Sequence, residues 1–83
     1  MEPVKSKMDY FLYRVDQHMV RWPTQRRGQA MVNVLYWSFH DCHELWMQEI
    51  LRDHEFIAES PLDPFYQDER IPAFLEWLQK QFD

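Results

Sequence analysis

Apolar residues recur at helical spacing along nearly the whole of this 83-residue chain, and that periodicity constrains its fold more than any other feature. Met8, Phe11, Leu12, Val15, Met19 and Trp22 fall at offsets of 3, 4, 7, 11 and 14, one stripe of a 3.6-residue helix. Ser6 with Asp9 three residues on resembles a capping box with Asp in place of Glu, and Pro23 stops the segment, so a first helix is expected over about residues 5–21. Thr24 is the expected cap of a second helix reaching about His40. Its interior, Ala30 to Trp37, is apolar nearly all round except for Asn33, which places it at the centre of a bundle; Val32 and Val34 also permit a strand there. Asp41 with Glu44 marks a third start, followed by the stripe His43, Trp46, Met47, Ile50, Leu51 and His54. That helix is expected to continue through Phe56, Ile57 and Ala58 until Ser60-Pro61 ends it. Asp63 is placed to cap a single turn with Pro64 at its first position. Ile71, Phe74, Leu75, Leu78 and Phe82 form the last stripe, and Pro72 is tolerable because it lies in the first turn. The expectation is an all-α fold, a compact bundle of about four helices forming a single domain over residues 1–83.

Composition narrows the class. A chain that is 46% hydrophobic and 17% aromatic is too cohesive to remain disordered, and its aromatic rings supply most of the core that so short a chain can build. A lone cysteine, Cys42, excludes an internal disulfide and suits a reducing compartment. No run approaches the ~20 apolar residues of a membrane helix, and the N-terminal residues do not read as a signal peptide, so a cytoplasmic protein with no membrane contact is expected. One glycine in total leaves no phosphate-cradling Gly-rich loop. Neither an enzyme nor a cofactor is expected, because Cys42 and its neighbouring histidines lack the separately assembled parts of a Cys–His site.

Charge is unevenly distributed. The formal charge of −5 divides into +3 over residues 1–30, with six cations against three acids, and −8 over residues 31–83, with three cations against eleven acids. Either the basic third neutralises the acidic remainder internally, or two oppositely charged faces steer a partner. Arg21, Trp22, Arg26 and Arg27 form the densest basic patch. Arg26 and Arg27 fall in the first turn of the second helix, where the dipole disfavours cations, so a compensating carboxylate such as Asp63 or Asp68 is expected nearby. The acidic balance weighs against nucleic acid, and the acids scatter over helical surfaces with no double row that would imitate DNA phosphates.

His40, Cys42 and His43 are weak metal candidates, since a structural zinc site wants four closed ligands with paired spacings. Asn33, inside an apolar helix, needs hydrogen-bond partners; it is expected to hold backbone in the 60–66 loop or to fix helix register.

The segment Arg26-x-Gly28-Gln29-Ala30-x-x-Asn33-x-Leu35-Tyr36, followed by Asp63-Pro64-Phe65-Tyr66-x-Asp68 and a helix with Phe74-Leu75, resembles small uncharacterised proteins of bacteriophages and prophages. The resemblance spans about residues 24–78; it implies a phage or prophage origin and brings no assigned activity. The function expected is therefore a non-enzymatic accessory protein that binds a host or phage protein. Its anchors would be residues the helical stripes do not use, Trp77, Tyr10, Tyr13, Leu45 and Trp37, with Arg26 and Arg27 at the rim. The alternatives are a nucleic-acid-contacting module using the Arg21–Arg27 patch and an acidic DNA mimic. Uncovered aromatic surface also predicts a homodimer.

Overall fold

Ser6 begins the first helix as its sequence signature requires: extended at φ −151°, it accepts a hydrogen bond from the Asp9 amide on its hydroxyl at 3.1 Å. The computed structural model describes residues 6–82; Lys5, the expected start of this helix, lies outside the described residues. Helix α1 runs Lys7–Arg21, α2 Arg27–Ser38, α3 His40–Asp53 and α4 Ile71–Phe82. Single 3-10 turns at Ile57–Glu59 and Asp68–Arg70 punctuate the segment between α3 and α4. The fold is all-α, a bundle of four helices, and among the described residues there is no strand.

The all-round apolar segment is the central element. Gly28, Ala30, Met31, Val32, Val34 and Leu35 of α2 are all buried, and α2 contacts α1, α3 and the Asp68–Arg70 turn. Phe11 and Val15 of α1, Trp46 and Ile50 of α3, and Phe74 and Leu78 of α4 close the core around it. Aromatic rings tie the four helices at one end. Phe11 lies 5.9 Å from Phe39, 6.3 Å from Phe74 and 6.2 Å from Phe82, mostly edge-on, while Trp46 meets Phe74 edge-on at 6.1 Å. The Trp46 indole donates to the Leu62 carbonyl at 2.9 Å, so its one polar atom is satisfied.

Several boundaries differ from the expected ones, each for a local reason. Thr24 does not cap α2; the chain turns over residues 23–25, the cap position is Arg26, and Arg26 makes no capping bond with its side chain. α2 stops at Ser38, and Phe39 alone separates it from α3. There the backbone leaves helical geometry at φ −137° and ψ 56°, which sets the Phe39 ring against Phe11 and Phe82. Asp41 consequently lies inside the first turn of α3, where its charge still suits the dipole. α3 ends at Asp53 short of Phe56, and Leu51 of its expected stripe faces solvent.

What positions α2 is its contact with the distant 63–68 segment. The Gly28 amide, one of the orphan donors of the α2 N-terminus, donates to Asp68 Oδ1 at 3.0 Å. The Pro64 carbonyl lies against the Gly28 Cα: a Cβ built there would overlap the carbonyl oxygen and sit 2.8 Å from its carbon. Gly28 has no positive φ, so it is closeness of backbone and not conformational freedom that requires glycine. In an unhindered helix Gly→Ala gains ~1 kcal/mol. Gly28→Ala should instead lose at least about 1–3 kcal/mol, the usual cost of overpacking. At roughly 4–8 °C per kcal/mol, a thermal melt by circular dichroism should fall by about 10 °C; a rise would show that the Pro64 loop gives way without cost.

Candidate functional site

Arg26 and Gly28, from the first of the two motif segments, face Pro64, Phe65 and Asp68 of the second. Arg26 Nη2 donates to the Phe65 carbonyl at 2.8 Å, Gly28 seats Pro64, and the Gly28 amide meets Asp68. Asp63 is buried and accepts from the Phe65 amide at 3.0 Å; Pro64 accepts from Gln67, which makes the expected single turn. Ser60, also buried, accepts from the Leu62 amide, and Arg70 donates to the carbonyls of Ala58 and Ser60 at 2.7 and 2.9 Å. Asp63 and Asp68 thus accept hydrogen bonds from backbone amides of the loop and of the α2 terminus. Arg26 is a clamp on the loop and not a free rim residue. The carboxylates expected to compensate Arg26 and Arg27 do so for neither: Arg27 pairs with Asp16 of α1 at 3.3 Å, and Asp68 serves the helix terminus itself.

Asn33 takes the register-fixing role by a different route. Its amide does not reach the 60–66 loop but donates to Gln25 Oε1 at 3.1 Å, and His18 Nε2 donates to the same oxygen at 2.8 Å. One glutamine in the α1–α2 connection thus pins a residue from each helix.

The His40-Cys42-His43 stretch opens α3, where the His40 and His43 rings stack 6.4 Å apart. His40 pairs with Glu44 at 3.3 Å, while the His43 ring lies edge-on to Tyr36 at 5.1 Å and tilted against Trp46 at 5.3 Å. No group of three metal-ligating side chains converges among the described residues. Burial pushes the Cys42 thiol up, opposed by the charge of Lys7. Burial, and then the neighbouring His40, push the His43 imidazole down. Both shifts favour the neutral forms, the reverse of what activates a thiolate–imidazolium pair.

The expected anchor residues separate into two places. Leu45 of α3 and Trp77 of α4 line a shallow groove between those helices, but Trp77 is half-buried against the core, which corrects its reading as a free anchor. Tyr10, Tyr13 and Trp37 are exposed on the α1–α2 hairpin, where Trp37 is 77% accessible. Sequence reasoning missed Val20 beside them and placed Trp22 both in the α1 stripe and in the basic patch. Val20 is 82% accessible, and Trp22, assigned to the buried stripe of α1, is 48% accessible because the helix ends one residue before it. Between α1 and the end of α2, Val20, Trp22 and Trp37 flank a groove of about 520 Å³ that also receives Arg14, His18 and Arg21. The Arg21 guanidinium rests 5.7 Å from the Trp22 ring centroid. Arg14, seven residues before Arg21, was not singled out by the sequence patch; helical phase puts it on the same face.

No family model, curated protein or solved structure matches this chain. No helix among the described residues is long and apolar enough to cross a membrane.

Burial raises the Asp63 carboxyl above its ordinary value of 3.8, outweighing the Phe65 amide and the charge of Arg70. The neutral acid is thus the better tenant of the folded site. Its stabilisation is fully present below the ordinary value and is lost as pH rises through the raised folded value. Asp63→Asn keeps an acceptor for the Phe65 amide without the desolvated charge. It should melt higher than the wild type at about pH 7, with the gap closing below about pH 4. A lower melting point at neutral pH would show that attraction to Arg70 outweighs burial.

Proposed function

We propose that this chain is a small non-enzymatic interaction protein of phage or prophage type, which binds a host or phage protein through the outer face of the α1–α2 hairpin. The observation that supports the reading is where the uncovered hydrophobic side chains fall. Of ten large hydrophobic residues left exposed, six belong to this hairpin: Tyr10, Tyr13, Val20, Trp22, Tyr36 and Trp37. α1, α3 and α4 each bury one face, while α2 is buried nearly all round over residues 28–35. Phe11, Met31, Trp46 and Phe74 fill the core, while Tyr13, Trp22 and Trp37 lie outside it. Trp and Tyr are the residues that most often dominate binding energy once a partner excludes water from them. The phage-type origin rests on the resemblance of the two motif segments, and their mutual contact gives that pairing of motifs a physical reason.

Affinity capture from bacterial lysate tests the reading. Wild type should retain a partner that a Tyr13→Ala/Trp37→Ala variant loses, with the loss of each hot-spot ring costing roughly 30-fold in affinity. A Phe56→Ala/Tyr66→Ala variant, altered on the loop between α3 and α4, should retain that partner. Capture unchanged by the hairpin variant and lost with the loop variant would move the interface and overturn the assignment.

A further inference from the structure

The six arginines divide by what they hold. Arg26 holds the Phe65 carbonyl, Arg27 pairs with Asp16, Arg52 with Glu49 and Asp53, and Arg70 with two loop carbonyls. Arg14 and Arg21 make no hydrogen bond or ion pair among the described residues, and Arg21 makes only the ring contact with Trp22. These two uncommitted guanidiniums line the same groove, beside the two most exposed tryptophans, and none of the residues lining that groove is acidic. Seven residues along α1 set them about 10 Å apart, two turns on one face. A chain with fourteen acids has left its two free arginines in an acid-free groove.

Resting on the interaction reading above, we infer that this groove receives an acidic, amphipathic segment of a partner protein. Two of its carboxylates pair with Arg14 and Arg21, and its apolar side chains cover Trp22 and Trp37. Guanidinium–carboxylate pairs are strong because they are charge-assisted and bidentate, and an arginine tied to no internal acceptor gives up none to form one. A helix carrying acids two turns apart on the edge of an apolar stripe matches both the spacing and the surface. Charge favours such a segment over a nucleic-acid strand. Polyanion affinity grows with the number of phosphates neutralised, and here Arg26 and Arg27, the other members of the basic patch, are already engaged. A strand leaving the groove would also run onto a remainder of the chain that carries −8.

Three labelled probes test this by fluorescence anisotropy: an amphipathic peptide of about 16 residues with two glutamates two helical turns apart and leucines between, its glutamine counterpart, and a thymidine oligonucleotide of about 12 nucleotides. The glutamate peptide should bind at least about 10-fold tighter than the glutamine peptide and the oligonucleotide, and salt should weaken it. Arg14→Ala and Arg21→Ala should each weaken it about 10-fold while leaving the melting temperature unchanged, since neither guanidinium holds a bond in the fold. In ¹⁵N spectra the indole signals of Trp22 and Trp37 should move while that of Trp46, bonded to Leu62, stays. Equal binding of the glutamine peptide, tighter binding of the oligonucleotide, no binding of any probe, or indifference to both arginine variants would overturn the inference. A captured partner lost with Tyr13→Ala/Trp37→Ala but kept by Arg14→Glu/Arg21→Glu would overturn the acidic chemistry alone and leave the interaction reading standing.

Discussion

The seat of Pro64 against Gly28 is the contact on which the remaining architecture depends. α2 packs against α1, α3 and the Asp68–Arg70 turn, and its N-terminal turn has no capping side chain of its own. It is completed from forty residues away, by the Asp68 carboxylate on the Gly28 amide, and that carboxylate arrives only because the 63–68 backbone comes within van der Waals contact of the helix axis. A side chain at position 28 would hold the loop off and uncouple the cap. The Arg26 bond to Phe65 and the Arg70 bonds to Ala58 and Ser60 then fix the same loop from both ends. The segment between α3 and α4, with two short 3-10 turns, is therefore ordered by polar contacts and by Asp63 and Ser60 turns more than by apolar burial.

That division explains what the sequence made legible. The apolar stripes of α1, α2 and α4 each produced a helix within a few residues of expectation, because burial of a face is written locally at 3.6-residue spacing. The Ser6 cap was legible for the same reason, since its partner amide is three residues away. The misses are the non-local cases. Thr24 and Asp41 carry cap chemistry, but the helices begin at Arg27 and His40, where a distant carboxylate and the placement of the Phe39 ring decide. Asn33 announced a need for partners without naming Gln25, eight residues back across a turn. Trp22 is in phase with the α1 stripe and is exposed because α1 ends at Arg21, the stop that Pro23 signals, so the buried stripe does not extend to it.

The candidate surface was less legible than the fold, and the reason is combinatorial. A basic patch read along the chain joins Arg21, Trp22, Arg26 and Arg27, yet folding sends Arg26 to the 63–68 loop and Arg27 to Asp16. What replaces the patch is Arg14 with Arg21, neighbours only through two helical turns, and Trp37, neighbour only through the antiparallel return of α2. Surplus is visible only after folding has claimed what it needs.

The charge asymmetry can now be judged against the contacts. Had the basic first third existed to neutralise the acidic remainder, ion pairs would cross between them. Among the described residues none does: Arg27 pairs with Asp16 inside the first third, while His40–Glu44, Arg52–Glu49 and Arg52–Asp53 lie inside the remainder. The segments that meet across the boundary do so through neutral carbonyls and a backbone amide, at Arg26–Phe65 and Gly28–Asp68. Among the described residues, the cations of the first third and the acids of the remainder are thus left unpaired with one another. Such a separation costs little in water at physiological ionic strength, where the Debye length is about 8 Å, and contributes nothing to the core. For the acidic partner segment proposed above, it would act at encounter, drawing that segment toward the hairpin before contact is made.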